Sequence, residues 1–250
     1  MANWSDRDTR MNLQSQAQAR TGAPDVAYDA GLRSYMLKVY NYMASGVLLT
    51  GIVAMLFAMG GVESPAYQIM SQGGLLAWVI ILSPLAFILV MSFGLKKLST
   101  GALQACFWAF AVVMGLSLST VFLNYTGVSI ATTFFATSAA FVSLSLWGYT
   151  TKKDLSGMGT FLLMGLVGLI IAMVINLFVQ STAMQMVISA IGVLIFAGLT
   201  AYDTQKIKSL YAHVAGTDMM GKTIIMGALN LYLDFINMFL FLLQFMGARD

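Results

Sequence analysis

The chain has 250 residues, 59% hydrophobic and only 9% charged, where a soluble domain carries about 25% charged residues. That composition excludes a solvated globule, and the net charge of +3 excludes a nucleic-acid footprint because the basic residues sit at the ends of apolar runs. A single cysteine, Cys106, excludes an intrachain disulfide, and the lone His213 in a polar loop cannot build a metal site.

Residues 1–37 are polar, mixed in charge and without a periodic apolar face. They predict a mostly disordered cytoplasmic tail with an amphipathic lead-in at Leu32–Leu37. No short apolar core lies near Met1, so the segment does not read as a signal peptide. The rest, 38–250, reads as one membrane domain.

About 20 apolar residues are needed for a helix to cross the hydrocarbon core. Seven stretches qualify: 38–60, 75–94, 102–124, 129–149, 159–180, 184–204 and 224–246. Barrel strands would alternate and be about half as long. The fold class is therefore all-α, a polytopic membrane protein with seven transmembrane helices, and the lipid bilayer is its first partner. Cys106 falls in the third span, where a small apolar packing residue is expected.

The connections alternate in charge. The tail carries Arg7, Arg10, Arg20, Arg33 and Lys38. The second connection has Lys96 and Lys97, the fourth Lys152 and Lys153, and the sixth Lys206, Lys208 and Lys222; the first, third and fifth have no Lys or Arg. The positive-inside rule then places the N-terminus in the cytoplasm and, after seven crossings, Arg249 and Asp250 outside. Glu63, in the first external connection, reads as a solvated loop acid.

The ends of spans two, four and six echo one another as FGLKKLS, YTTKKDLS and YDTQKIKS. They are three similar interfacial anchors, or three related hairpins around a seventh helix. In either case Asp203 stands where the other copies have Gly94 and Thr150.

The last span contains Asp234 in LNLYLDFINMFLFLL. A carboxylate at the bilayer centre costs about 2.5–3.5 kcal/mol on insertion scales. Asn230, Asp234, Asn237, Phe241 and Gln244 follow spacings of 4, 3, 4 and 3, so they share one helix face. Interhelical hydrogen bonding accounts for the amides, but Asn would serve as well at 234 without the charge. Asn176 is flagged as a polar residue within the fifth span. Asp234 lies about 10 Å deep if hydrocarbon begins near Gly227, and Asp203 lies on the same side of the membrane in the antiparallel neighbour. Two carboxyl groups in contact in a low-dielectric site do not both ionise cheaply; they share a proton and titrate as a pair. Such a pair can sense pH or, with nearby Asn and carbonyl oxygens, hold calcium weakly and transiently. Calcium prefers six to eight oxygen ligands, so a tight site is not expected.

Other chemistry is thin. There is no Gly-rich phosphate loop, histidine cluster or serine–histidine arrangement, and no span has the central lysine of a retinal Schiff base. No catalytic residue is nominated, and neither enzymatic activity nor a bound cofactor is expected. The small residues of Gly115–Ser119 and Ser138–Ser145 read as close helix packing.

GLTAYDTQKIK followed by GALNLYLDFINMFLFLL, with the YTTKKDLSGMG hairpin, resembles the transmembrane Bax inhibitor motif family in its bacterial inner-membrane branch. The resemblance covers nearly everything after residue 30. It implies six helices surrounding a central, strongly hydrophobic seventh, in a bacterial inner membrane. It also implies a pH-sensitive calcium leak with Asp203 and Asp234 as sensor and gate; Asn176, Asn230, Asn237 and Gln244, read from the residues themselves, are the candidate pore-lining or supporting polar residues. Some members have an arginine in the second span that latches onto the acidic pair; LLAWVIILSPLAFILVMSF has none. A second family theme, binding to a membrane quality-control protease or other membrane protein, makes a non-conducting regulator the alternative. An intramembrane aspartyl protease also begins from two acids, but LYLDF lacks the glycine context of its GxGD motif.

Overall fold

In the computed structural model the backbone is described for residues 4–248 and the side chains from Tyr28 to Ala248. Eight α-helices follow in order: α1 (Trp4–Ala58), the short α2 (Pro65–Gln72), α3 (Leu75–Gly94), α4 (Thr100–Asn124), α5 (Gly127–Thr150), α6 (Ser156–Val179), α7 (Thr182–Val214) and α8 (Met219–Met246). Seven of them, all but α2, are long and apolar enough to cross a membrane. The all-α, seven-span expectation is met.

Local chemistry sets the helix starts. Ser64, Ser99, Thr126 and Ser181 cap α2, α4, α5 and α7, each accepting a backbone N–H three residues on. These caps explain why three spans begin two residues earlier than hydropathy places them. Inside α3, Pro84 cannot donate to the Ile80 carbonyl. The Ser83 hydroxyl donates to that carbonyl instead, at 2.9 Å, so the backbone group is not stranded in hydrocarbon.

Two boundaries differ more. Leu32, Tyr35 and Met36 are buried within α1, and the Tyr35 ring lies 5.3 Å from Tyr211. The bundle therefore begins before the expected division at residue 37. The remainder of the expected tail, residues 1–27, lies outside the residues whose side chains are described, as do Arg249 and Asp250. At the other boundary, α7 continues ten residues past the expected end at 204. Ile207 and Tyr211 keep one face buried while Lys206 and Ser209 face outward, so an amphipathic turn extends the apolar span. The echo thus ends a helix at Gly94 and Thr150 but runs through one at Asp203.

The apolar window of α8 is 72% buried, against 33% for α1 and α7 and 11% for α6. Helix α8 is the most buried of the seven spans. Its close neighbours are α1, α4, α5 and α7, whereas α3 packs mainly on α4, and α6 on α7. The expected ring of six helices is therefore four close neighbours with two outer helices. Large apolar side chains on α3 and α6, such as Phe93 and Phe178, point outward, as hydrocarbon as the surrounding solvent requires.

Small residues let the backbones approach. A Cβ on Gly115 would meet the Thr50 carbonyl at 2.8 Å, and one on Gly148 would fall against the Ala201 carbonyl. Ser145 bridges α1 and α7, while the Ser138 hydroxyl turns back to the Phe134 carbonyl of its own helix. Cys106 packs half-buried against the core, as expected of a packing residue. His213 and Glu63 are exposed.

Candidate functional site

Helices α7 and α8 are antiparallel, joined by the short connection after Val214. Asp203 lies 11 residues before the end of α7, and Asp234 lies 15 residues after the start of α8. At 1.5 Å per residue these are depths of about 16 and 22 Å from the shared end. The offset of about 6 Å is closed by side-chain direction, because Cβ bonds tilt toward a helix N-terminus. On α8 that tilts Asp234 back toward the connection; on α7 it tilts Asp203 deeper. The two carboxyl groups come within hydrogen-bond reach of each other.

Asp234 is 4% exposed, and its Oδ2 has no donor among the described residues. Asp203 is half-buried. Two carboxylates present only acceptors, so a hydrogen bond between these groups requires one proton between them. Lys206, one turn on from Asp203, acts on its carboxyl by charge and sits 5.7 Å over the Tyr202 ring.

The frame around the pair is tight. Gly148 of α5 faces the Ala201 carbonyl, Gly159 of α6 faces the Tyr202 ring, and Gly227 of α8 faces Ile207. Gln205 fixes the adjoining connection from both ends of its amide. It accepts from the Leu155 N–H at 2.9 Å and donates to the Lys153 carbonyl at 2.8 Å. Lys208 donates to the Tyr149 carbonyl at 2.7 Å. Beside Asp203, Thr204 is the buried end of a hydroxyl chain through Ser145 to Tyr40, with steps of 2.9 and 2.6 Å.

The amides divide into separate places. Asn230 is half-buried one turn nearer the connection than Asp234. Asn237 donates to the Leu233 carbonyl of its own helix at 2.8 Å. Gln244 lies near the far end of α8, exposed, and accepts from Gln185 at 2.9 Å and Ser189 at 3.3 Å. Asn176 belongs with Gln244 rather than with the acids. It stands three residues before the end of α6, accepts from the Ser181 N–H and donates to Gln185 at 3.0 Å. Asn176 thus lies within its span, close to the helix end, where it ties α6 to the start of α7. The shared polar face of α8 therefore serves two sites, the acidic pair and a distant amide network.

The sequence reading missed Gln185, Ser189, Gln205 and the Tyr40–Ser145–Thr204 chain. Gln185 carried the same signal as Asn176, an amide inside an apolar run. Gln205 was visible as the one non-lysine in the basic echo. The hydroxyls carried no signal apart from helix packing. No group of three or more His, Cys, Asp or Glu gathers among the described residues. Two carboxylates alone supply fewer oxygens than calcium prefers.

A seven-span helical membrane protein with a buried carboxyl pair between its last two helices is thus defined by fold and site. Residues 32–250 match the family described as "Inhibitor of apoptosis-promoting Bax1", and the chain belongs to this Bax inhibitor-1 family. It is 47% identical over 230 residues to an uncharacterised protein of Rickettsia prowazekii, covering 92% of this chain and 95% of that one. An uncharacterised Caulobacter vibrioides protein is 44% identical over 235 residues, 90% of this chain and 92% of its own. The Escherichia coli inner membrane protein YbhL is 41% identical over 222 residues, 88% of this chain and 94% of its own.

Proposed function

We propose that the chain is a pH-sensitive cation leak, for calcium, in which Asp203 and Asp234 are sensor and gate. The observation that carries this reading is the buried Asp234 carboxyl, which among the described residues meets the Asp203 carboxyl and no other charged group. Loss of the shared proton leaves two acceptors facing each other, and the contact between the two helices changes sign from attraction to repulsion. That gives α8, the most buried span, two packings selected by one proton. A passing cation replaces the proton as the charge between the carboxylates, with no tight site required. On this reading the pair is not catalytic and the protein holds no resident cofactor.

The positive-inside rule, applied to the basic connections, supports a cytoplasmic N-terminus and a periplasmic C-terminus, and the likeness to YbhL supports a bacterial inner membrane. Calcium flux in proteoliposomes across a pH series tests the function. The wild type conducts with a pH-dependent rate, and Asp203→Asn plus Asp234→Asn makes that rate flat. Unchanged pH dependence in the double variant removes the pair from the mechanism. No flux in the wild type at any pH removes the leak and returns the reading to a non-conducting regulator of a membrane protease or other membrane protein.

A further inference from the structure

Helices α1 and α5 both pack on α8, yet they do not pack closely on each other. The gap between them is a lateral groove of about 620 Å³, within the roughly 300–1,000 Å³ range of small-molecule sites. Its walls are apolar: Val47 and Leu48 on one side, Phe141 and Val142 on the other, with Phe235 of α8 among the lining. At one end stands Arg33, exposed, with no hydrogen bond or ion pair among the described residues. Asp29, one turn earlier on α1, is also exposed and forms no ion pair with it. Tyr149 lines the groove on the α5 side, and Lys208 sits 4.7 Å over its ring.

An apolar slot open to the hydrocarbon, with cations at one mouth, is complementary to one class of molecule. We propose that this groove holds a single anionic phospholipid. An acyl chain lies along α1 and α5, and the headgroup phosphate meets Arg33, with Lys208 adding to the field. Basic recesses between transmembrane helices favour anionic headgroups in this way. The occupied groove would add to the hydrogen bond, Tyr40 to Ser145 at 2.6 Å, that joins α1 to α5 across it.

The test is native mass spectrometry of the full chain released from micelles doped with phosphatidylglycerol or with phosphatidylcholine. One retained phosphatidylglycerol is expected, in clear excess over phosphatidylcholine. Arg33→Gln should lower its retention about fivefold, the worth of one basic residue at an anionic surface. Ala44→Trp and Ser138→Trp, each filling the slot from one wall, should abolish it, with thermal unfolding in detergent checking that both variants fold. Leu177→Trp, on the outer face of α6, should leave it unchanged. Equal retention of the two lipids, or retention indifferent to Arg33→Gln and to both tryptophans, overturns the proposal.

Discussion

Replacing Asp234 by Asn and, separately, by Leu distinguishes a functional acid from a structural one. Among the described residues, Asp234 makes one polar side-chain contact, to Asp203, and its Oδ2 has no partner. A neutral hydrogen bond is worth about 0.5–1.5 kcal/mol, and interhelical bonds inside membrane proteins average about 0.6. Asn keeps the shape and can donate its amide to Asp203, so its cost is near zero. Leu loses the bond but removes an unsatisfied oxygen from the core. The Asp203 carboxyl it leaves behind is half-buried and close to Lys206, so it is not a stranded charge. The net change for Asp234→Leu is expected within about 1 kcal/mol. Thermal unfolding in detergent reads this as a shift of about 2–4 °C at most for a chain of this size. Both variants should also lose the pH dependence of calcium flux. A loss above about 3 kcal/mol in Asp234→Leu, the scale of a broken buried ion pair, would refute the reasoning and make the acid a structural tie.

Gly148→Ala should lower the unfolding temperature. Its Cβ meets backbone rather than a movable side chain, so an overpacking cost of about 1–3 kcal/mol exceeds the gain in helix propensity of about 1. Gly168→Ala in α6, where nothing lies within 4 Å, should be neutral or stabilising. Gln205→Ala removes both amide bonds to the α5–α6 connection. Hydrogen exchange at the Leu155 N–H should accelerate about tenfold, the equivalent of one hydrogen bond. Asp154 is held below the ordinary carboxylate range by its hydrogen bonds from Ser156, side chain first. Its contribution to the start of α6 is therefore present above the unfolded pKa of about 3.9 and lost as pH falls through the lowered value. Asp154→Asn should abolish that acid-dependent step in exchange at the Ser156 N–H.

The seven spans were legible because hydrocarbon demands long apolar runs, and α3 has the expected bounds. The contact of Asp203 with Asp234 was legible because a short connection and helix geometry leave little freedom in register. The extension of α7 was hidden: Lys206 and Lys208 look like a boundary to hydropathy, yet Ile207 and Tyr211 between and beyond them bury one face. The partners of Asn176 and Gln244 were hidden for a related reason. Spacing along a helix fixes the face of an amide but not the depth at which a partner meets it. Gln185, on a third helix, decided that. The arrangement of four close neighbours around α8 depends on which pairs carry Gly or Ser at crossing points, and that needs the crossings themselves.

Infrared difference spectroscopy of the protonated carboxyl band, followed across pH in the wild type, Asp203→Asn and Asp234→Asn, tests most directly whether the two acids share a proton. The account predicts that removing either acid changes the titration of the one that remains, because the wild-type band belongs to the pair. Each single variant titrating with the same midpoint as its residue shows in the wild type would mean two independent carboxyl groups and would contradict the shared-proton gate.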